Sequence, residues 1–396
     1  MTTTLTCIAD DLTGAADCAA SCRNSNLPAV IWLASASWTD DSTKVVVLDI
    51  NSRDASSADA VARAVKAHDF ARGRSGVIYH KIDTLLRGNW SAEIASVVRR
   101  SKHACQPLVI APAYPELGRG TQGATMIVHG EMRDDLSISA PLSHLGLVVH
   151  EVPLDIVRDG LASVKKSVGS ILERADVVVC DAVTRSDLDT IAQAGDALGI
   201  KYWCGSGGLI RSIAPLLDLP HDPCPLVLGN EDPALIVIGS LSQSARAQAA
   251  MLVKQNLVHW IEAGQDLKLL ISRIREVRAL LNSGQSVLIT TAPTNAETIS
   301  DPSLVENLAE ALTVAATDTS LLVLVGGATA RALLDAMNVG ALDVLGETEP
   351  GFTIATTDHN GRQLTVALKP GAFGSRASVA NSLRAMRRKD GFSCAH

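Results

Sequence analysis

Aromatic side chains are scarce in this chain: four Phe, three Tyr and five Trp make up 3 % of 396 residues. The 47 % hydrophobic content is therefore carried mainly by Ala, Val, Leu and Ile. That is the composition of helices packed on parallel strands, where strands buried on both faces are nearly continuous aliphatic runs. Positive charge is also short, with 35 Lys and Arg against 42 Asp and Glu, a formal net charge of −7. Such a chain lacks the concentrated basic face of a nucleic-acid binder. A local basic site for a small anion stays compatible with it. No apolar run reaches the 18 residues of a membrane span, and no basic stretch followed by an apolar one marks a signal peptide. Eight cysteines, at 7, 18, 22, 105, 180, 204, 224 and 394, form no CxxC, and no histidine cluster has zinc spacing. Cys18 and Cys22, one helical turn apart among alanines, read as small core residues. The expected setting is reduced and cytoplasmic. Two motifs are missing as well: there is no GxxxxGK[ST], which excludes a Walker-type loop, and no GxGxxG after either first strand.

What is present is length and rhythm. A chain of 396 residues exceeds one ordinary core, so two domains are expected. Short aliphatic strands at Leu5–Ala9, Ala29–Leu33, Lys44–Ile50, Gly76–Lys81 and Pro107–Ala111 alternate with helical stretches at Ala55–Ala71 and Ala92–Lys102. This alternation implies a doubly wound, largely parallel sheet. Thr121–Val152 breaks the rhythm as a β-rich excursion, and Val177–Asp181, Asp187–Leu198 and Lys201–Trp203 restore it. Five prolines crowd the stretch from 215 to 233, which suits a linker. A second α/β series follows, with strands at Ala234–Gly239, Ser286–Thr290, Leu321–Val325 and Leu364–Leu368. The expected division is 1–215, a linker over 216–232, and 233–396. From Arg384 onward a basic tail reads as a frayed helix end.

The chemistry-bearing residues gather after strands, where open α/β sheets bind ligands. Asp10 and Asp11 follow the first strand, with Thr13 able to cap a helix starting near Gly14. These carboxylates could hydrogen-bond a polyhydroxylated ligand, hold a cation or take a proton, or one of them could simply cap the helix. Arg53 follows the strand ending at Ile50, and Lys81, Ile82, Asp83, Thr84, Arg87 and Asn89 follow the next. Arg53, Lys81 and Arg87 suit a carboxylate or phosphate, the arginines bidentately; surface salt bridges with Asp10, Asp11 and Asp83 are the plainer reading. Arg119, behind the rigid Pro112–Pro115 loop, adds a cation at the same edge. In the second half, Gly239-Ser240, Gly326-Gly327-Ala328-Thr329 and Lys369-Pro370-Gly371 end strands with glycines that let a backbone approach phosphates. Gly205-Ser206-Gly207-Gly208 is either an anion-binding helix start or a plain Ser cap.

Taken in order, IADDLTGAAD, KIDTLLRGN, APAYPELGRGTQG, CGSGGLI, VIGSLS, LVGGAT and ALKPGAFG, spanning residues 8–374, resemble the four-carbon acid sugar kinase family of D-threonate and D-erythronate kinases. The resemblance implies an N-terminal α/β domain for the acid sugar and a C-terminal one for ATP. The implied reaction is phosphorylation of a terminal hydroxyl, with Mg²⁺ as the accompanying ion. By position it implies substrate contacts at Asp10, Arg53, Lys81, Ile82, Asp83 and Thr84, to which Arg87 is added. Nucleotide contacts are implied at Ser240, Gly326, Gly327, Ala328, Thr329 and Gly371. Asp10, Asp11 and Asp83 are the candidates for the catalytic base. The sequence departs from the family at Ala328, where a Glu is common, and at Leu85, where a Thr is common. The expected partners are a sugar acid and ATP, with no nucleic acid and no membrane, and with a homodimer left open. A non-catalytic sugar-acid sensor would not need the glycine loops of the second half. An NAD-linked oxidoreductase would need the missing GxGxxG.

Overall fold

In the computed structural model, residues 4–39, 45–74, 76–101, 106–222, 229–262, 267–290 and 302–388 are described. Cys105, Cys224, Cys394, the proline-rich stretch 223–228 and the basic tail beyond 388 lie outside them. The chain forms two compact units, one of residues 1–34 and 38–222, the other of 35–37 and 223–396.

The first unit is built on strands β1 (Leu5–Ala9), β2 (Ala29–Trp32), β3 (Val45–Asp49), β4 (Val77–Lys81) and β5 (Leu108–Ala111). A small antiparallel sheet of β6 (Arg119–Gln122), β7 (Thr125–Val128) and β8 (Glu131–Ser137) interrupts the series. Strands β9 (Val149–Val152), β10 (Val177–Cys180) and β11 (Tyr202–Gly205) resume it. The large sheet runs β2-β3-β1-β4-β11-β5-β10-β9, and every pairing in it is parallel. LTCIA of β1 and VVVLD of β3 are buried throughout, as strands covered on both faces must be. The helix Leu12–Asn24 reaches this sheet with a face of Gly14, Ala15, Cys18, Ala19 and Cys22, all buried. Small side chains let the helix axis approach the strands closely, and this explains Cys18 and Cys22 as core residues. Asp11, not Thr13, caps this helix: its carboxylate accepts from the Gly14 amide at 2.8 Å and from the Thr13 hydroxyl at 2.6 Å. An Asp has a longer reach than Thr to the same orphan amide.

The second unit places β12 (Ala234–Ile238), β13 (His259–Glu262), β14 (Val287–Thr290), β15 (Leu321–Val325), β16 (Ala341–Glu349), β17 (Phe352–His359) and β18 (Arg362–Lys369) in the order β13-β14-β12-β15-β18-β17-β16. Five strands are parallel, and β16-β17-β18 form an antiparallel meander. Its turns sit at Glu349–Gly351 and Asn360-Gly361, where Gly351 (φ +80°), Asn360 (φ +55°) and Gly361 (φ +74°) adopt the left-handed backbone. The terminal helix is Ser378–Arg387, and its basic end is anchored rather than frayed. Leu383 and Met386 are buried, and Arg387 donates to Ser286 at 2.7 Å.

Candidate active site

Strand register decides which loops meet. Ala9 of β1 stands opposite Asp49 of β3 and Lys81 of β4, Lys81 opposite Gly205 of β11, and Gly205 opposite Ala111 of β5. Five strands thus end level, and the loops that follow share one edge. The strand order also reverses there: β2 and β3 lie to one side of β1 and β4 to the other. The turn at Asp10-Asp11 therefore opens at a topological switch point.

Arg53 is the hub of this edge. Its Nε and Nη2 donate to Asp10 at 2.8 Å each, and its Nη1 and Nη2 donate to Asp11 at 2.7 and 3.0 Å. The Ser52 and Arg53 amides also donate to the Asp10 carbonyl. Asp83 answers Arg87 in the same forked manner, at 2.9 and 2.7 Å. Gly88 (φ +85°) brings this loop against Arg53, where a Cβ would lie 3.1–3.2 Å from its atoms. Asn89 ties it down by donating to the Ser52 and Ala55 carbonyls at 3.1 and 3.0 Å. Lys81 is buried, with its ammonium on the Ile82 carbonyl at 2.9 Å. Ile82 is buried too and offers only backbone, and Thr84 is half-buried at the mouth.

Electrostatics separates the three aspartates. Burial pushes Asp10 above the usual carboxylate range, and Arg53 only partly offsets it. Burial acts the same way on Asp83, but the Arg87 hydrogen bonds and the Arg53 field outweigh it and hold that carboxyl well below its usual range. Asp11 is spent on the helix cap and on Arg53. Lys81 stays charged, because the field of Asp10 and of neighbouring carboxylates outweighs its burial.

One cation differs. Arg119, at the root of the small β6-β7-β8 sheet, has Nε and Nη1 buried without a hydrogen-bond partner. Burial lowers its pKa, opposed by Asp83. Its backbone is locked by a reciprocal pair of hydrogen bonds with Tyr114, at 2.9 and 3.0 Å. The sequence placed Arg119 at this edge; that its neighbours' charges are already matched while its own is not could only be read from coordinates. At Gly205–Gly208 the capping reading holds: the Ser206 hydroxyl accepts from the Gly208 amide and donates to the Ala113 carbonyl.

The second unit repeats the edge. Ile238 pairs with Thr290 and Val325, and Val325 with Lys369. The loops at Ser240, Gly326–Thr329 and Gly371 are thereby neighbours. Glycine is required at this junction: a Cβ on Gly239 would sit 1.8 Å from the Thr329 hydroxyl, and one on Gly371 would sit 1.9 Å from the Ser240 hydroxyl. Gly326 (φ +113°) lies with its Cβ position 3.2 Å from the Ser240 amide and starts the helix Gly327–Ala336. Ser242 donates to the Gly371 carbonyl at 2.7 Å. Lys369 is curled into its own loop, donating to the carbonyls of Pro370 and Phe373, and burial pushes it down to about 8. Among the described residues no three His, Cys, Asp or Glu side chains gather as a metal site.

Two family models divide the chain along the same lines: a sugar-binding N-terminal domain matches residues 5–213, and a nucleotide-binding C-terminal domain matches 235–379. The chain belongs to the four-carbon acid sugar kinase family. It is 34 % identical to a D-threonate kinase of Cupriavidus necator over 96 % of this chain and 97 % of that one. A 3-oxo-tetronate kinase of Pseudomonas savastanoi is 24 % identical over 96 % of each. A solved structure from Salmonella typhimurium LT2 covers 96 % of this chain and 99 % of that one with a TM-score of 0.78 at 18 % identity, a likeness of fold. Kinase, not sensor or oxidoreductase, is the class to which the family assigns this chain.

Proposed function

We propose that this kinase transfers the γ-phosphate of ATP to the C4 hydroxyl of a four-carbon sugar acid, D-threonate first among the candidates. The observation that carries this reading is the pairing pattern at the N-terminal edge. Arg53, Asp10, Asp11, Asp83 and Arg87 form a prebuilt, charge-matched frame, and Arg119 keeps donors to spare.

In this reading Asp10 is the base. It accepts the proton of the C4 hydroxyl, whose oxygen then bonds to the γ-phosphorus as the bond to the β-phosphate breaks and ADP leaves. Asp83 is too strongly stabilised as an anion to compete, and the oxygens of Asp11 accept from Thr13 and the Gly14 amide as well as from Arg53, whereas the side-chain bonds to those of Asp10 come from Arg53. Arg53 fixes the base rather than gripping substrate, and Lys81 balances its charge. Arg119 takes the substrate carboxylate, a role its forked donors suit. In the second unit the helix start at Gly326–Thr329 and the loops at Ser240 and Gly371 take the phosphates, as amide-rich strand ends do. Phosphoryl transfer asks mainly for such positioning and charge neutralisation. Ala328 contributes only its backbone.

A coupled ADP-release assay with Mg-ATP against D- and L-threonate, D- and L-erythronate and the 3-oxo acid tests this. Turnover is expected to be fastest with D-threonate, the substrate in the name of the 34 % identical relative. A preference for the 3-oxo acid would instead follow the 3-oxo-tetronate relatives. No turnover with any four-carbon acid would overturn the proposal.

A further inference from the structure

Beside Ser240 lies a cavity of about 310 Å³. Ile238, Ala249, Ala250, Val253 and Trp260 give it apolar walls, and Ser240 and Thr290 stand at the strand ends. The helix Gln243–Lys254 forms one wall and β13 the other. Two cations, Arg246 and Lys254, line it, and no carboxylate does among the described residues. Trp260 is 42 % exposed, whereas the other tryptophans, Trp32, Trp38, Trp90 and Trp203, are buried or half-buried. Its indole Nε1 donates to the Thr290 hydroxyl at 3.1 Å. That bond holds the ring in place with its polar edge already satisfied, so a flat face is what it offers.

We infer that this cavity is the base-binding subsite of the nucleotide site, with Trp260 as the platform on which the purine of ATP stacks. Three observations converge on a purine nucleotide. An aromatic face over aliphatic walls suits a flat heterocycle, because stacking on an indole is favourable for any base. The cations Arg246 and Lys254 suit the anionic remainder of the ligand. Ser240 belongs both to this cavity and to the glycine junction, where a Cβ on Gly371 would strike its hydroxyl. A molecule lying in the cavity therefore shares Ser240 with the phosphate loops. The inference rests on the nucleotide reading of this unit and adds to it where the base sits.

The test uses the full-length protein and measures binding of ADP, of adenosine and of inorganic tripolyphosphate, by calorimetry, to the wild type, Trp260→Phe, Trp260→Ala and Ala250→Phe. Trp260→Ala and Ala250→Phe, which removes the platform and fills the cavity respectively, are each expected to weaken ADP and adenosine roughly tenfold or more. Tripolyphosphate, which has no base, is expected to bind all four proteins alike. Trp260→Phe keeps a ring and is expected to fall between the wild type and the alanine variant. Unchanged ADP affinity in both disruptive variants would overturn the subsite while leaving the kinase intact. Loss of tripolyphosphate together with ADP in those variants would also overturn it, since the damage would then not be confined to the base. If neither ADP nor tripolyphosphate binds the wild type, the nucleotide reading itself fails, a result distinct from the other two.

Discussion

At the scale of single residues, the N-terminal edge separates charges that hold the protein together from charges left for a ligand. Arg53 buries its guanidinium against two carboxylates, so Arg53→Ala strands both without a partner and is expected to lower the melting temperature as well as abolish activity. Arg119 is the converse case, because its donors are unspent in the free protein. Removing it forfeits charge-assisted hydrogen bonds worth roughly 1.5–3 kcal/mol each. Arg119→Ala should therefore raise KM for the sugar acid about 10–100-fold and leave the melting temperature unchanged or higher; a fall in stability with KM intact would place Arg119 in the frame instead. Asp10→Asn keeps the shape and loses the base, so kcat is expected to drop roughly 10²–10⁴-fold while ADP affinity, measured by calorimetry, stays put. Asp11→Asn should be far milder, since Asn also caps helices well.

At the scale of elements, two junctions make testable demands. Gly371 must be glycine because Ser240 occupies the place of its Cβ. Gly371→Ala should push these two loops apart and raise KM for ATP, and Ser240→Gly in the same chain should recover part of the loss; an unaffected KM for ATP in the single variant would count against a phosphate role for this junction. The second junction joins the helix Ser57–Gly73 to β4, where His68 and His80 stack with 3.4 Å between their nitrogens. Burial lowers His68 to about 4 and His80 to about 3, from an ordinary value near 6.5. Between pH 6.5 and those values the unfolded chain binds more protons than the folded one, so folding weakens as pH falls through that window, by roughly 3–5 kcal/mol per histidine over its full width. Chemical denaturation at pH 7 and pH 4.5 measures this, and His80→Phe should flatten the dependence. The strands behind both junctions were legible from aliphatic runs, and the loops from the polar residues at their ends. The meander β16-β17-β18 was legible only in its last strand, because alternation in half-buried antiparallel strands gives a weaker pattern than a buried run. Edge strand β13 escaped for a similar reason: with His259 and Trp260 exposed, HWIE carries no aliphatic run. The substrate loops announced their residue types, but which arginine was spent and which was spare depended on distances between loops more than forty residues apart.

At the scale of the whole molecule, the chain divides into two compact units, and the candidate sugar-acid and nucleotide residues fall in different units. Thermal unfolding followed by calorimetry should therefore show two transitions, one raised by ADP and the other by D-threonate, because a ligand stabilises the unit that binds it. A single transition moved equally by both ligands would contradict independent units. The level strand ends, Ala9, Lys81, Gly205 and Ala111 in one unit and Ile238, Val325 and Lys369 in the other, carry a further consequence for how such a protein changes over generations. Thr84, Arg87, Ser240 and Ala328 lie beyond the last paired rung of their strands, so replacing such a loop residue disturbs no strand pairing. A lineage built this way can exchange one small acid for a near neighbour at little cost in folding, and its loops become the place where new diets are tried.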